Sequence, residues 1–202
     1  MELTLIEKSI ILGTLLGDGF LQKRAHKARL RICHSFKQKQ YVNWKYQQLI
    51  RLCNRTQPPK CKNVRLGVTY SFHTQSEKIL SYYHTLFYRS NGFKKINNQL
   101  IDHITHPLSL AIWWLDDGNA RIDCNAGRLA TCGFSLQEQK ILQQLLFQNF
   151  HISTNIVRNS IKKSQYYLYI PSRHFSQLID LIQIYVQQIP AMEYKLGKPR
   201  ND

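Results

Sequence analysis

The sequence predicts an α+β fold made of two similar halves, each ordered helix, strand pair, helix, strand pair, helix. Three observations lead there. An apolar run closes at an acid followed by glycine twice, at Ile11-Leu-Gly-Thr-Leu-Leu-Gly-Asp18-Gly19 and at Leu110-Ala-Ile-Trp-Trp-Leu-Asp-Asp117-Gly118, with the acids 99 positions apart. Alternating, strand-like stretches follow each run. Helix-start signals of the form Ser/Thr-x-x-Glu/Gln recur in corresponding places. At 202 residues and 43% hydrophobic content, the chain is long and apolar enough to bury a sizeable core.

Thr4-Leu-Ile-Glu7 is a capping box, so the first helix is expected from about Leu5 to Leu16, with Gly17 and Gly19 around its end and Asp18 at its terminus. Strands are expected over Phe20 to Arg24 and Ala28 to His34. In the second, Ala28, Leu30 and Ile32 alternate with Arg29, Arg31 and Cys33, so one face is core and the other basic. Ser35-Phe-Lys-Gln38 is expected to cap a second helix bearing Val42, Tyr46, Leu49, Ile50 and Cys53, which Pro58-Pro59 keeps from continuing. Val64, Leu66, Val68, Tyr70 and Phe72 then alternate as strand, with Gly67 at a bend or bulge. Thr74-Gln-Ser-Glu77 is expected to cap a third helix that ends at Asn91-Gly92.

The second half repeats the order. Pro107 suits the first turn of a helix reaching Leu115, and strands are expected near Asn119 to Asp123 and Arg128 to Phe134. Ser135-Leu-Gln-Glu138 is a further capping box, ahead of a helix that buries Ile141, Leu142, Leu145 and Leu146. Strands near Thr154 to Asn159 and Gln165 to Ile170 come next, and Pro171-Ser172 opens a last helix with Phe175, Leu178, Ile179, Ile182 and Val186 inward. These signals divide the chain into halves at 1–92 and 107–202 joined by a connector at 93–106.

Lys and Arg number 28 against 12 acids, a net charge of +16. Self-repulsion of that size disfavours a compact monomer unless a polyanion shares its surface, and nucleic acid is the first partner to expect. A membrane fits less well, because the basic residues are scattered rather than gathered on one amphipathic helix, and no apolar run nears the ~20 residues that span a bilayer. The opening residues carry no signal-peptide pattern. Five cysteines without a C-x-x-C pair encourage neither a disulfide framework nor a zinc knuckle, so a reducing, intracellular setting is expected, whether organellar, bacterial or phage-encoded.

The paired motifs, their spacing, the charge and Ile189-Pro-Ala-Met-Glu-Tyr-Lys195-Leu make nearly the whole chain resemble the LAGLIDADG homing endonucleases, in the branch where one polypeptide carries both motifs. The resemblance implies a monomer of two pseudo-symmetric αββαββα halves, with the motif helices packed at the centre and saddle-shaped antiparallel sheets laid along a DNA major groove. The implied activity is a site-specific, metal-dependent double-strand break in a long, asymmetric target. The runner-up is an RNA-binding intron maturase on the same scaffold, whose partner is intron RNA. A DNA-binding regulator without chemistry ranks third, because both acids are present.

Phosphodiester hydrolysis needs an in-line water, a stabilised leaving oxygen and charge neutralisation at phosphorus, which two hard cations held by carboxylates supply. Asp18 and Asp117 are the expected ligands. The donors are oxygen atoms with no His or Cys cluster nearby, so two or three Mg²⁺ ions are expected, with Mn²⁺ substituting and Ca²⁺ binding without turnover. The motif implies that backbone carbonyls of Gly17 and Asp116 assist. Asp116 aligns with Gly17, which leaves Asp117 as the essential acid. An acid at a helix C-terminus opposes the macrodipole and calls for a cation, a need that a metal would meet.

The resemblance also points to Lys94 and Lys195 beside the cleavage centre, with Lys95 able to take the place of Lys94. Gln38 either orders water or caps a helix. Lys23, Arg24, Arg29, Arg31 and Arg65 in the first half, and Arg121, Arg128 and Arg158 in the second, are expected to contact phosphates or to read guanine edges. Gly13 and Gly17, four apart, mark the face meeting the second motif helix. Ala111 is the expected point of closest approach, and Trp113 and Trp114 are expected in the core.

Overall fold

The computed structural model describes residues 2–160 and 165–197. Helix α1 (Leu5–Leu16) starts on the Thr4–Glu7 capping box, both of whose reciprocal hydrogen bonds form, and is capped by Gly17. Strands β1 (Phe20–Arg24) and β2 (Lys27–Ser35) pair antiparallel. Ser35 accepts from the Lys37 backbone and opens a 3₁₀ turn, so α2 (Lys39–Gln48) begins later than the Ser35–Gln38 pattern predicts and has no side-chain cap.

Where an uninterrupted alternation leads through Val64 to Phe72, the chain reverses. Strands β3 (Lys60–Val64) and β4 (Gly67–His73) form a hairpin closed by Arg65 and Leu66, with Val64 facing Gly67. Gly67 is no bulge; it closes the turn at a φ of +126°, a conformation that a side chain disfavours. Leu66 at the tip is 97% exposed, so its place in the alternation reflects no buried face.

Helix α3 (Lys78–Phe87) lacks the predicted Thr74 cap. The Thr74 hydroxyl instead accepts from the Leu30 backbone at 3.0 Å and donates to the Gln75 carbonyl. The helix also stops short of Asn91-Gly92. Tyr88 and Lys94 bridge across a loop in which Gly92 has φ of +83°, and this reversal brings Lys94 back toward the end of α1. A short helix, α4 (Gln99–His103), follows.

Helix α5 (Pro107–Asp117) starts with proline in its first turn and runs two residues past Leu115. Strands β5 (Gly118–Ala120) and β6 (Gly127–Leu129) are shorter than the alternation predicts. Arg121 turns to pair with Asp123, and Thr131 is drawn off the sheet by the Gln139 side chain. Helix α6 (Leu136–Phe150) forms on the Ser135–Glu138 capping box, and β7 (Asn155–Ser160), β8 (Gln165–Ile170) and α7 (Ser172–Val186) follow as predicted. A 3₁₀ segment, Pro190–Leu196, returns toward α5.

The two four-stranded sheets have matching orders, β1-β2-β4-β3 and β5-β6-β8-β7, all antiparallel. Corresponding strands occupy corresponding places, which is the pseudo-symmetry the repeated motifs predict. One apolar core runs through both halves, and its centre is the packing of α1 on α5. No helix among the described residues is long and apolar enough to cross a membrane.

Candidate active site

Two helices can approach this closely only where side chains are absent from the contact. A Cβ on Gly13 would lie 2.4 Å from the Ser109 carbonyl oxygen and 2.7 Å from Ile112 Cβ, and one on Gly17 would lie 2.5 Å from Asp116 Cβ. The second helix therefore comes closest at Ser109 and Ile112 and not at Ala111. Positions 109, 112 and 116 share one helix face, three and four apart, and 111 does not. Trp113 and Trp114 are fully buried. The Trp114 indole N–H donates to the Lys195 carbonyl at 2.8 Å and so ties the C-terminal segment to the motif helix.

The two motif acids emerge at this crossing. Asp18 follows the Gly17 cap with its side chain 52% exposed, whereas Asp117 is the last residue of α5 and less exposed. Burial, then the charges of Asp18 and Asp116, push the Asp117 carboxyl up to about 7. Burial and then Asp116 raise Asp18 as well. Among the described residues Asp117 makes no ion pair within 4.0 Å, and the nearest basic group to the Asp18 carboxylate is the His34 imidazole at 3.6 Å. Burial and the Lys45 charge lower His34 to about 4, so it is neutral at pH 7.

The C-terminal carbonyls of both motif helices are met by lysines from elsewhere in the chain. Lys94 Nζ donates to the Gly17 carbonyl and Lys195 Nζ to the Gly118 carbonyl, each at 2.6 Å. Ammonium groups at helix C-termini interact favourably with the macrodipole, so part of the cation deficit read from the sequence is supplied internally. Burial lowers the proton affinity of both lysines. Of the adjacent pair, Lys94 is the one that reaches α1. The two grips are out of step with the motif spacing, since Gly17 matches Asp116 and Lys195 holds Gly118; α5 continues further into its motif than α1 does.

Asp116 was expected to act through its backbone carbonyl, but its side chain is the more informative part. That side chain is fully buried, accepts from Tyr41 Oη at 2.8 Å and pairs with the equally buried Lys45 Nζ at 2.8 Å. Sequence reasoning missed Tyr41, Lys45 and His34. The available signal was a lysine lying on the apolar stripe of α2 with Tyr41, Val42, Tyr46 and Leu49. Gln38 caps nothing with its side chain and donates to Tyr194 Oη at 3.2 Å, between the halves.

The sheet registers sort the basic residues. Arg29 and Arg31 face outward with their partners Gln22 and Phe20, and Arg24 shares that face at the end of β1. Lys23 pairs with the buried Ala28 and so lies on the helix side of the sheet. Arg65 sits at the hairpin tip. Arg128 faces outward between Asn119 and Tyr169, Arg121 pairs with Asp123 beyond β5, and Arg158 has the same parity as the inward-facing Ile156. Lys60 and Lys62, unremarked in the sequence, join Arg31 and Asp18 along one groove on the outer face of the first sheet.

A model of the LAGLIDADG DNA endonuclease family matches residues 8–178. The cytochrome b mRNA maturase bI2 of Saccharomyces cerevisiae is 29% identical over 209 residues, covering 94% of this chain, which spans 47% of that protein's length. A probable intron-encoded endonuclease of Wickerhamomyces canadensis is 27% identical over 96% of this chain and 85% of its own. Among solved structures, the homing endonuclease I-WcaI bound to its DNA recognition sequence superposes with a TM-score of 0.83 at 25% identity, covering 97% of this chain and 88% of its own. Two motif helices crossing at glycine, two matching sheets and these relatives agree: the chain belongs to the LAGLIDADG DNA endonuclease family.

Proposed function

We propose that this chain is a site-specific endonuclease that makes a metal-dependent double-strand break in DNA, hydrolysing one phosphodiester in each strand. The observation that carries the reading is the meeting of Asp18 and Asp117, one from each half, at the crossing of α1 and α5 with their proton affinities raised. Two carboxylates held together, with the nearby Lys94 and Lys195 ammonium groups turned to backbone carbonyls, form an oxygen-donor set that attracts hard divalent ions. Asp18 and Asp117, with the carbonyls of Gly17 and Asp116, would hold magnesium, which when bound supplies positive charge at phosphorus and a more acidic water.

The chain's own residues do the rest. Lys94 and Lys195 present ammonium groups beside the acids, where charge on the phosphate oxygens grows in the transition state. The outward face of the first sheet, with Arg29, Arg31, Lys60 and Lys62, positions the backbone, and Arg128 with Tyr169 does so in the second. On this reading residues 1–92 and 107–202 each engage one half of an asymmetric target, linked through 93–106 in a monomer.

A maturase that binds intron RNA is the second reading, favoured by the name of the yeast relative. Incubation with a randomised duplex library and Mg²⁺, followed by sequencing of cut ends, separates the two. Cleavage at a defined sequence supports the endonuclease. Tight binding to intron RNA with no cut duplex from any sequence overturns it.

A further inference from the structure

The two motif acids are held by different means. Asp117 is the last residue of α5, so its backbone still follows its own helix. Asp18 lies beyond the last residue of α1 and its cap. Among the described residues, the acceptor for the Asp18 backbone N–H is Oδ2 of Asp116, at 3.4 Å and from the opposite half.

That acceptor is itself tightly held. Tyr41 Oη and Lys45 Nζ each reach Asp116 Oδ1 at 2.8 Å, and Lys45 also reaches Oδ2 at 3.1 Å. His34 spans the two acids, with Nδ1 3.6 Å from Asp18 and Nε2 3.8 Å from Asp116. The fit depends on Gly17, because a Cβ there would lie 2.8 Å from Asp116 Oδ2. A carboxylate of the second half is thus inserted into a polar socket of the first, directly under the backbone of Asp18.

We propose that Asp116 is a positioning residue for Asp18, supplied across the seam and locked by Lys45 and Tyr41. This rests on the endonuclease reading. Loss of the socket then slows cleavage of the DNA strand assigned to Asp18 more than cleavage of the other.

The test is a strand-resolved nicking assay on an end-labelled duplex recovered from the library selection, with Asp18→Asn identifying which strand depends on Asp18. The chief variant is Lys45→Met with Asp116→Leu. Leucine copies the branched outline of aspartate, and replacing a buried ion pair by apolar groups is often neutral for stability. The variant is expected to melt within a few degrees of the parent and to lower the rate on the Asp18 strand relative to the Asp117 strand about 10-fold or more, the scale of small misplacements in a site. Tyr41→Phe, which removes one donor to the Asp116 carboxylate and keeps the packing, is expected to shift the ratio of strand rates in the same direction by about 3-fold, less than the double variant because Lys45 still holds Asp116. Equal slowing of both strands, or an unchanged ratio in both variants, overturns the inference and leaves the endonuclease reading standing. A parent protein that cuts no duplex in the library removes the reading itself, and the inference with it.

Discussion

Replacing Gly13 by alanine sets two effects of opposite sign against each other. Alanine in a helix interior is more favourable than glycine by about 1 kcal/mol, so propensity alone predicts a stabilised protein. The seam predicts the reverse. The added Cβ would lie 2.4 Å from the Ser109 carbonyl oxygen and 2.7 Å from Ile112 Cβ, and the first of these is backbone that cannot rotate away. An ordinary contact requires α1 and α5 to part by roughly 1 Å, and overpacking of this kind costs about 1–3 kcal/mol. A backbone clash belongs at the upper end of that range, leaving a net loss of about 2 kcal/mol after the propensity gain. At about 2–4 °C per kcal/mol for a chain of this size, the melting temperature falls by roughly 4–8 °C. Urea and thermal unfolding measure it, with Gly133→Ala as control, since a Cβ at Gly133 meets nothing within 4 Å. Gly13→Ala as stable as the parent or more so would refute the close seam, whatever the control does.

Lys45→Met alone leaves the buried Asp116 charge without its cation and is expected to cost about 3–5 kcal/mol in urea unfolding, most of it regained on adding Asp116→Leu; a loss under about 1 kcal/mol would contradict a buried pair. Asp117→Asn tests the raised carboxyl in metal-free buffer. An acid whose folded pKa of about 7 exceeds its unfolded 3.8 imposes a penalty that is absent below pH 4, grows between pH 4 and 7 and is complete above 7. The variant should therefore match the parent near pH 4 and exceed it at pH 8 by about 1–2 kcal/mol once solvent screening is allowed for, and equal stability at pH 8 would speak against a carboxylate disfavoured by burial and by its neighbouring acids at the crossing. Lys62→Ala should lower the salt slope of DNA binding by about 1, whereas Arg158→Ala should leave it unchanged because its register turns it from the outer face; the opposite ranking would displace the DNA surface.

Much of the fold was legible because its signals are local. Thr4–Glu7 and Ser135–Glu138 fulfil their capping boxes, and Pro107 opens its helix, since each involves groups within one turn. Thr74 and Ser35 carry the same local pattern and fail. A neighbouring strand claims the Thr74 hydroxyl, and Ser35 serves a 3₁₀ turn. The hairpin at Arg65-Leu66 was hidden because its flanking residues alternate as one strand would, and only the backbone at Gly67 records the reversal.

Legibility of the candidate site divides in the same way. The two acids stand out because each ends an apolar run at glycine, while the lysines came from resemblance and not from spacing. Tyr41, Lys45 and Asp116 were illegible as a set, since 75 and 71 positions separate the two donors from their acceptor. A lysine on an apolar stripe is visible in sequence, but its partner is decided by how the halves pack. The same packing sets the closest approach at Ser109 rather than Ala111.

Strand-resolved cleavage by Asp18→Asn and Asp117→Asn, on a duplex that the parent cuts with Mg²⁺, probes one acid per strand most directly. The expected outcome is two nickases of opposite strand preference and an inactive double variant that still binds the duplex in Ca²⁺. Either single variant cutting both strands at the parent rate would contradict the assignment.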